Sequence, residues 1–249
     1  RGPGKVVFRR STMDQLLNSI IYATLAGAMI PLGAFFALRE HIQPKWLEQE
    51  LRHSVIAFGG GVLLAAVSFV LVPDGIPYLS AVWSITAIGA GGLTFLWLDR
   101  LIALKGGSAA QLVGMVSDFI PEALALGALF ATGDRAAPLL AILIGLQNLP
   151  EGFNAYRELM AAGRYSSGAI LWWFIALVPL GPFAAVLGQL YLVERPALIG
   201  FVMLFAAGGI LYLIFQDIAP QARLERRWAP PLGAVGGFML GVLGHMLVD

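Results

Sequence analysis

The chain has 249 residues, of which 58% are hydrophobic and only 12% charged, with a net charge of +1 and a mean hydropathy of +0.79. A soluble domain carries about a quarter charged residues, so these values exclude a soluble globular fold, and they exclude disorder too. The near-neutral charge argues against nucleic acid as a partner, and the absence of Cys removes disulfides, thiolate metal sites and Cys nucleophiles.

A helix that crosses a bilayer needs about 20 mostly apolar residues. Eight stretches qualify, at 16–38, 54–72, 77–98, 109–132, 136–157, 168–193, 196–217 and 230–248. The predicted fold class is all-α: a polytopic integral membrane protein with eight transmembrane helices in one bundle. Pro73-Asp74-Gly75 ends the second span. Lys105-Gly106-Gly107-Ser108 separates the third and fourth, with Ser108 placed to cap the fourth. Gly133-Asp134 and Glu194-Arg195-Pro196 mark two further turns. The connections are short, so residues 13–249 read as one domain. Residues 1–12, Gly-Pro-Gly and basic residues ahead of Met13, read equally as a native tail or as an expression remnant. The first span has no Ala-x-Ala site, so no cleavable signal is expected there.

Lys and Arg predict the orientation. With eight spans both termini lie on one side, which from Met13 onward holds two positive residues, Arg135 and Arg195. The other side holds ten: Arg39, Lys45, Arg52, Arg100, Lys105, Arg157, Arg164, Arg223, Arg226 and Arg227. Adding the four basic residues of 1–12 makes it ten against six. The positive-inside rule then puts the richer side in the cytoplasm and both termini outside, in a multi-pass protein of the cell membrane.

Carboxylates away from span ends are costly and are usually functional or paired. Six spans carry none. The fourth carries Asp118 and Glu122; the fifth carries Glu151 among the amides Gln147, Asn148 and Asn154. Asp118 and Glu122 are four residues apart, as are Gln147 and Glu151, so each pair shares a helical face. Each Glu follows a proline, Pro121 or Pro150. An internal Pro removes the hydrogen bond to the carbonyl four residues back, which frees Ser117 and Leu146 carbonyls beside the acidic faces. Broken helices with polar groups at mid-membrane are a usual construction of transporter sites, and three acids, an amide and two carbonyls describe an oxygen cage for a cation. The plain alternative is a set of protonated acids holding helices together.

The runs Asp118-Phe-Ile-Pro-Glu-Ala-Leu-Ala-Leu-Gly127 and Gln147-Asn-Leu-Pro-Glu-Gly152 resemble the paired Pro-Glu motifs of the ZIP (Zrt-/Irt-like) family of divalent metal transporters. The resemblance implies a metal passing through the centre of the bundle, with Glu122 and Glu151 as primary ligands and Gln147 as an accepted variant. Asp118 stands where the family has His. At the family's second, adjacent metal position, Phe119 replaces Asn and Val178 replaces Glu, leaving Asn148 and the shared Glu residues, so one central ion is expected. The His-rich loop after the third span is missing. By position, Gln216 and Asp217 resemble an inner exit pair; a helix-end cap is the equal alternative. Asp74 reads as a turn residue or an entrance carboxylate. His41, His53 and His245 lie near span ends, away from the acidic faces.

The expected function is secondary transport of a divalent cation (zinc, manganese, iron or cadmium as substrate, with no cofactor) toward the cytoplasm, by alternating access. Partners are the metal and the lipid bilayer; a homodimer is left open. A protein of this fold that senses, or moves another substrate, is the alternative. An intramembrane metallohydrolase is the weakest reading, because H-E-x-x-H and G-x-S-x-G are absent.

Overall fold

The computed structural model describes residues 12–40, 45–105, 109–192, 194–224 and 227–248. The expectations placed on residues 1–11, on Ser108 as a cap and on His41 fall outside these. The described chain is helical, with no strand, as a bilayer demands when no water is present to satisfy backbone groups. Helices are numbered by span: α1 (Thr12–Arg39), α2 (45–78), α3 (Ala81–Lys105), α4 (Ala109–Thr132), α5 (Ala136–Ala161), α6 (Ser167–Leu192), α7 (Pro196–Ala222) and α8 (Leu232–Val248). Among the described residues, α1 to α7 are long and apolar enough to cross a membrane. The eighth stretch forms a shorter apolar helix of 17 residues.

Glycine sorts these helices into two groups. Where two helices touch at reciprocal glycines their backbones meet, and any side chain would collide. A Cβ on Gly33 (α1) would stand 2.0 Å from the Leu149 carbonyl oxygen of α5, and one on Gly152 (α5) would stand 2.1 Å from that of Ile30 (α1). Gly127 and Gly188 lock α4 to α6 in the same way. In the other group Gly61 and Gly237 lock α2 to α8, and Gly91 and Gly208 lock α3 to α7. This is the small-residue packing of membrane helices, which have no hydrophobic drive between them. Helix α1 also packs on α6, completing a group of α1, α4, α5 and α6; α2 likewise contacts α7 in the second group. The groups meet mainly where α2 lies on α5 and α4 on α7. Buried Leu63, Leu126, Leu129, Leu140, Leu143 and Phe174 fill the interior. Trp83, Trp97, Phe183 and Phe215 face outward, as lipid-facing side chains do.

The prolines do not all act alike. Helices α4 and α5 run as continuous α-helix through Pro121 and Pro150. The irregular turns lie elsewhere. In α2 a π turn, Val67–Leu71, precedes Pro73, and the Val72 N–H donates to the Val67 carbonyl five residues back. In α7 the π turn Ile214–Ile218 precedes Pro220, with the Ala219 N–H donating to Ile214. Proline cannot supply the bond four residues back, and in these two helices the ladder lengthens by one residue instead. Helix α6 breaks at Val178-Pro179 and ends in a third π turn, Gly188–Leu192.

Backbone contact at Gly152 makes a sharp prediction. Gly152→Leu should lower stability by about 1–3 kcal/mol or more by overpacking. Gly89→Ala, where a Cβ meets nothing within 4 Å, should stay within about 0.5 kcal/mol of the parent. Thermal unfolding of the detergent-purified protein measures both.

Candidate metal site

Asp118 and Glu122 project from one face of α4, Gln147 and Glu151 from one face of α5. All four sit well inside their spans. Glu122 and Gln147 are fully buried, Asp118 nearly so. The Gln147 Nε2 donates to both Glu122 oxygens, at 2.9 and 2.8 Å. That orientation leaves Gln147 Oε1 buried with no hydrogen-bond partner, a costly state for an amide oxygen. Asp118 Oδ1 accepts from the Phe119 backbone N–H at 2.9 Å. Glu151 lies near enough to Asp118 and Glu122 for the three carboxylates to repel one another. They are brought together but not closed into a cage: among the described residues no three of His, Asp and Glu are arranged to hold a metal ion.

A cavity of about 110 Å³ reaches this face from one end of the bundle. Asp118 and Glu151 line its inner part, and Asn154, Asp217 and Gln221 continue it; among the described residues no Lys, Arg or His is in its wall. Pro150 and Gly59 form the seam between α5 and α2, the proline ring 3.0 Å from where a Gly59 Cβ would stand. Glu122 and Gln147 do not line the cavity; they lie sealed behind Asp118.

Opposite the cavity, Phe119 closes the centre. It is 1% exposed, and its Cζ lies 2.9 Å from where a Cβ on Gly27 would stand and 2.5 Å from one on Gly181. The ring thus sits in a notch of α1 and α6 that only glycines leave open. Asn148 points at α1, where its Nδ2 donates to the Ala26 carbonyl at 2.9 Å, so it ties α5 to α1. Of the pair on α7, Asp217 lines the cavity while Gln216 is exposed outside it. Asp74 is remote: fifteen residues along α2 from Gly59 is roughly 22 Å at 1.5 Å per residue. His53 Nδ1 donates to the Gln49 carbonyl and His245 stacks on Phe69, both away from the site.

Two polar clusters went unforeseen. Asn154, one turn beyond Glu151, is a hub. Its Oδ1 accepts from Arg52 Nε and Nη2 at 3.1 and 3.0 Å, and its Nδ2 donates to Glu158 Oε1 at 2.9 Å and Gln221 Oε1 at 3.2 Å. Arg52 also faces Glu158 at 3.8 Å. Glu40 pairs with Arg157 nearby. The second cluster is the buried bond from Ser19 Oγ to Gln189 Oε1 at 2.9 Å, between α1 and α6. A search for carboxylates in span centres passes over such amides. The signal available was Asn154 at three residues from Glu151 and four from Glu158.

No family model matches the chain. The chain is 28% identical over 235 residues, 87% of its length, to a protein of Arabidopsis thaliana named "Putative zinc transporter". It spans 37% of that relative's length.

Asn154→Leu should leave Arg52, Glu158 and Gln221 without their shared partner and cost about 1–3 kcal/mol. Gln216→Leu, at an exposed position, should change stability by less than about 0.5 kcal/mol. Equal melting temperatures for the two variants would show that the hub holds nothing together.

Proposed function

We propose that the protein is a secondary transporter of the ZIP type that moves divalent metal cations toward the cytoplasm through the α4–α5 carboxylate face. The observation that carries this reading is the meeting of Asp118 and Glu151 at the inner end of a cavity whose wall, among the described residues, has no positive side chain. Clustered carboxylates inside a membrane protein need a counter-charge. A divalent ion offsets most of theirs, and a monovalent ion offsets less. The orphaned Gln147 oxygen adds a donor in want of a partner. Binding requires Glu122 to exchange the Gln147 amide for the ion and Gln147 to turn its oxygen toward it. The plant relative's name supports metal as the cargo. With no G-x-x-x-x-G-K-[ST] motif in the sequence, transport runs downhill or on another gradient.

The helix groups suggest how access alternates. Every proposed ligand stands on the α1, α4, α5, α6 group, and α2 and α7 form the facing wall. A shift of one group against the other along the Gly59–Pro150 seam would close the present cavity and uncover the Phe119 side. Phe119 also supports a single central ion, because its ring fills the position of the missing second-site ligand.

Uptake into proteoliposomes tests the ligand set. Glu122→Gln and Glu151→Gln keep size and remove charge, and each should cut metal uptake by at least about tenfold. The donor set is all oxygen, which suits manganese or ferrous iron relatively better than an imidazole set does. Competition among zinc, manganese and cadmium should therefore show broad selectivity in the parent and a turn toward zinc in Asp118→His. Glu variants that fold and transport like the parent would end the shared-site reading.

Orientation sets the direction. Arg39, Arg52, Arg157, Arg223 and Arg227 share the cavity's end of the bundle with Asn154, and the positive-inside rule makes that end cytoplasmic. A Cys placed at Gly133 should react with an impermeant outside thiol reagent and one at Ser108 should not; the reverse pattern would invert the direction.

A second reading has one observation behind it: Glu122 is already engaged by Gln147, and no three His, Asp or Glu side chains are grouped for an ion among the described residues. A protein of this fold that senses a cation, or moves another substrate, fits that arrangement. Saturable metal binding without uptake would favour it.

A further inference from the structure

A second and larger space lies outside the metal route. It is an apolar groove of about 820 Å³ between α2, α7 and the start of α8, within the ~300–1,000 Å³ typical of small-molecule sites. Its floor is made of small residues of α2, Ala57, Gly60 and Gly61; Leu64 and Phe215 flank it. Phe215 is 72% exposed, so the groove opens sideways onto the lipid-facing surface. An apolar slot open to that surface has the shape to take an acyl chain.

The rim distinguishes this slot from ordinary lipid-facing surface. Arg223, Arg227 and Trp228 line one end of it. Trp228 is 90% exposed, as an interfacial anchor is. Arg223 is exposed and has no carboxylate within 4 Å among the described residues. Arg227 faces Glu50 at 3.8 Å with its side chain half exposed. Among the described residues no acidic side chain lines the groove. Two guanidiniums at the mouth of an apolar inter-helix slot match a phosphate with an acyl chain attached.

We propose that this groove binds one anionic phospholipid of the bilayer, its chain along Gly60 to Leu64 and its phosphate between Arg223 and Arg227. The site touches the metal route through a single residue. Ile218 lines both the groove and the cavity, and its Cγ2 lies 2.7 Å from where a Gly60 Cβ would stand. It belongs to the π turn that carries Asp217. A bound lipid therefore braces the wall between α2 and α7 on which the cavity depends. The proposal does not rest on the identity of the transported ion.

The test uses the full chain, delipidated in detergent, with phosphatidylglycerol and phosphatidylcholine of identical acyl chains. Native mass spectrometry should retain one phosphatidylglycerol per chain, preferred over phosphatidylcholine by about 25-fold, at about fivefold per arginine. Phosphatidylglycerol should also raise the melting temperature more. Arg223→Gln with Arg227→Gln should bring the two lipids within about twofold, and Lys at both positions should keep most of the preference. Ala219→Phe, at an exposed groove-lining position, should abolish retention of both lipids by filling the slot. Equal retention of the two lipids by the parent would overturn the proposal, as would a preference that survives the double Gln variant. So would a dimer in detergent that Ala219→Phe dissociates, since the groove would then be covered by a second copy.

Discussion

The fork from Gln147 to both oxygens of Glu122 joins α4 to α5 at a depth where neither side chain is exposed to solvent or lipid. A carboxylate there cannot be left alone, because burial without donors or a counter-charge costs more than any packing around it returns. The amide supplies two donors and in doing so strands its own oxygen. Asp118 and Glu151, each one turn from that fork and both on its cavity side, open onto the cavity. The α4–α5 face is thus divided between a sealed, hydrogen-bonded half and a carboxylate half that opens onto the cavity. The glycine contacts of α1 with α5 and of α4 with α6 hold that face in register, since a backbone-to-backbone seam permits little slippage.

The acidic face was legible in the sequence because its signal is local. Asp118 and Glu122, and Gln147 and Glu151, are helical neighbours in strongly apolar stretches, and periodicity alone puts each pair on one side. Gly61, Gly91 and Gly237 bring backbones together while Gly89 meets nothing within 4 Å, a difference that depends on which helix each one faces. The Asn154 hub was not legible, because Arg52 and Gln221 come from helices 102 and 67 residues away. No local pattern encodes which distant helix an amide will face. The site's composition could be read; the reach of Glu122 to Gln147 rather than to Asp118 could not.

Proline shows the limit most clearly. Pro73, Pro121, Pro150, Pro179 and Pro220 lie within or beside the irregular or acidic segments, and the local rule treats them alike. Pro73 and Pro220 each follow a π turn, and Pro179 marks the break in α6, whereas Pro121 and Pro150 sit in unbroken α-helix. The difference lies in the surroundings. Pro150 is buried against Gly59 of α2, so its neighbours are fixed by a close inter-helix contact. The turns before Pro73 and Pro220 stand at the far ends of their helices, where an extra residue can be absorbed. Tertiary packing decides whether a missing hydrogen bond becomes a bulge.

The bulge in α7 has a consequence for the route of an ion. A regular helix advances each side chain by a fixed rotation, while a π turn inserts one residue and re-aims those around it. Within Ile214–Ile218 the side chains separate by destination: Phe215 and Gln216 are exposed, Asp217 enters the cavity, and Ile218 stands in the wall between cavity and groove. The same five residues therefore supply a carboxylate beyond Asp118 and Glu151 and the partition that keeps lipid out of the polar path. A turn with both duties is a place where movement of α7 against α2 would alter the hydration of the route and the seating of the lipid together. Phe119 has the complementary position on the opposite side of the site, where its ring fills the Gly27–Gly181 notch. In the proposed transporter, an ion held between these two features would have a carboxylate-lined cavity on one side and a packed aromatic ring on the other, the asymmetry that alternating access would have to reverse.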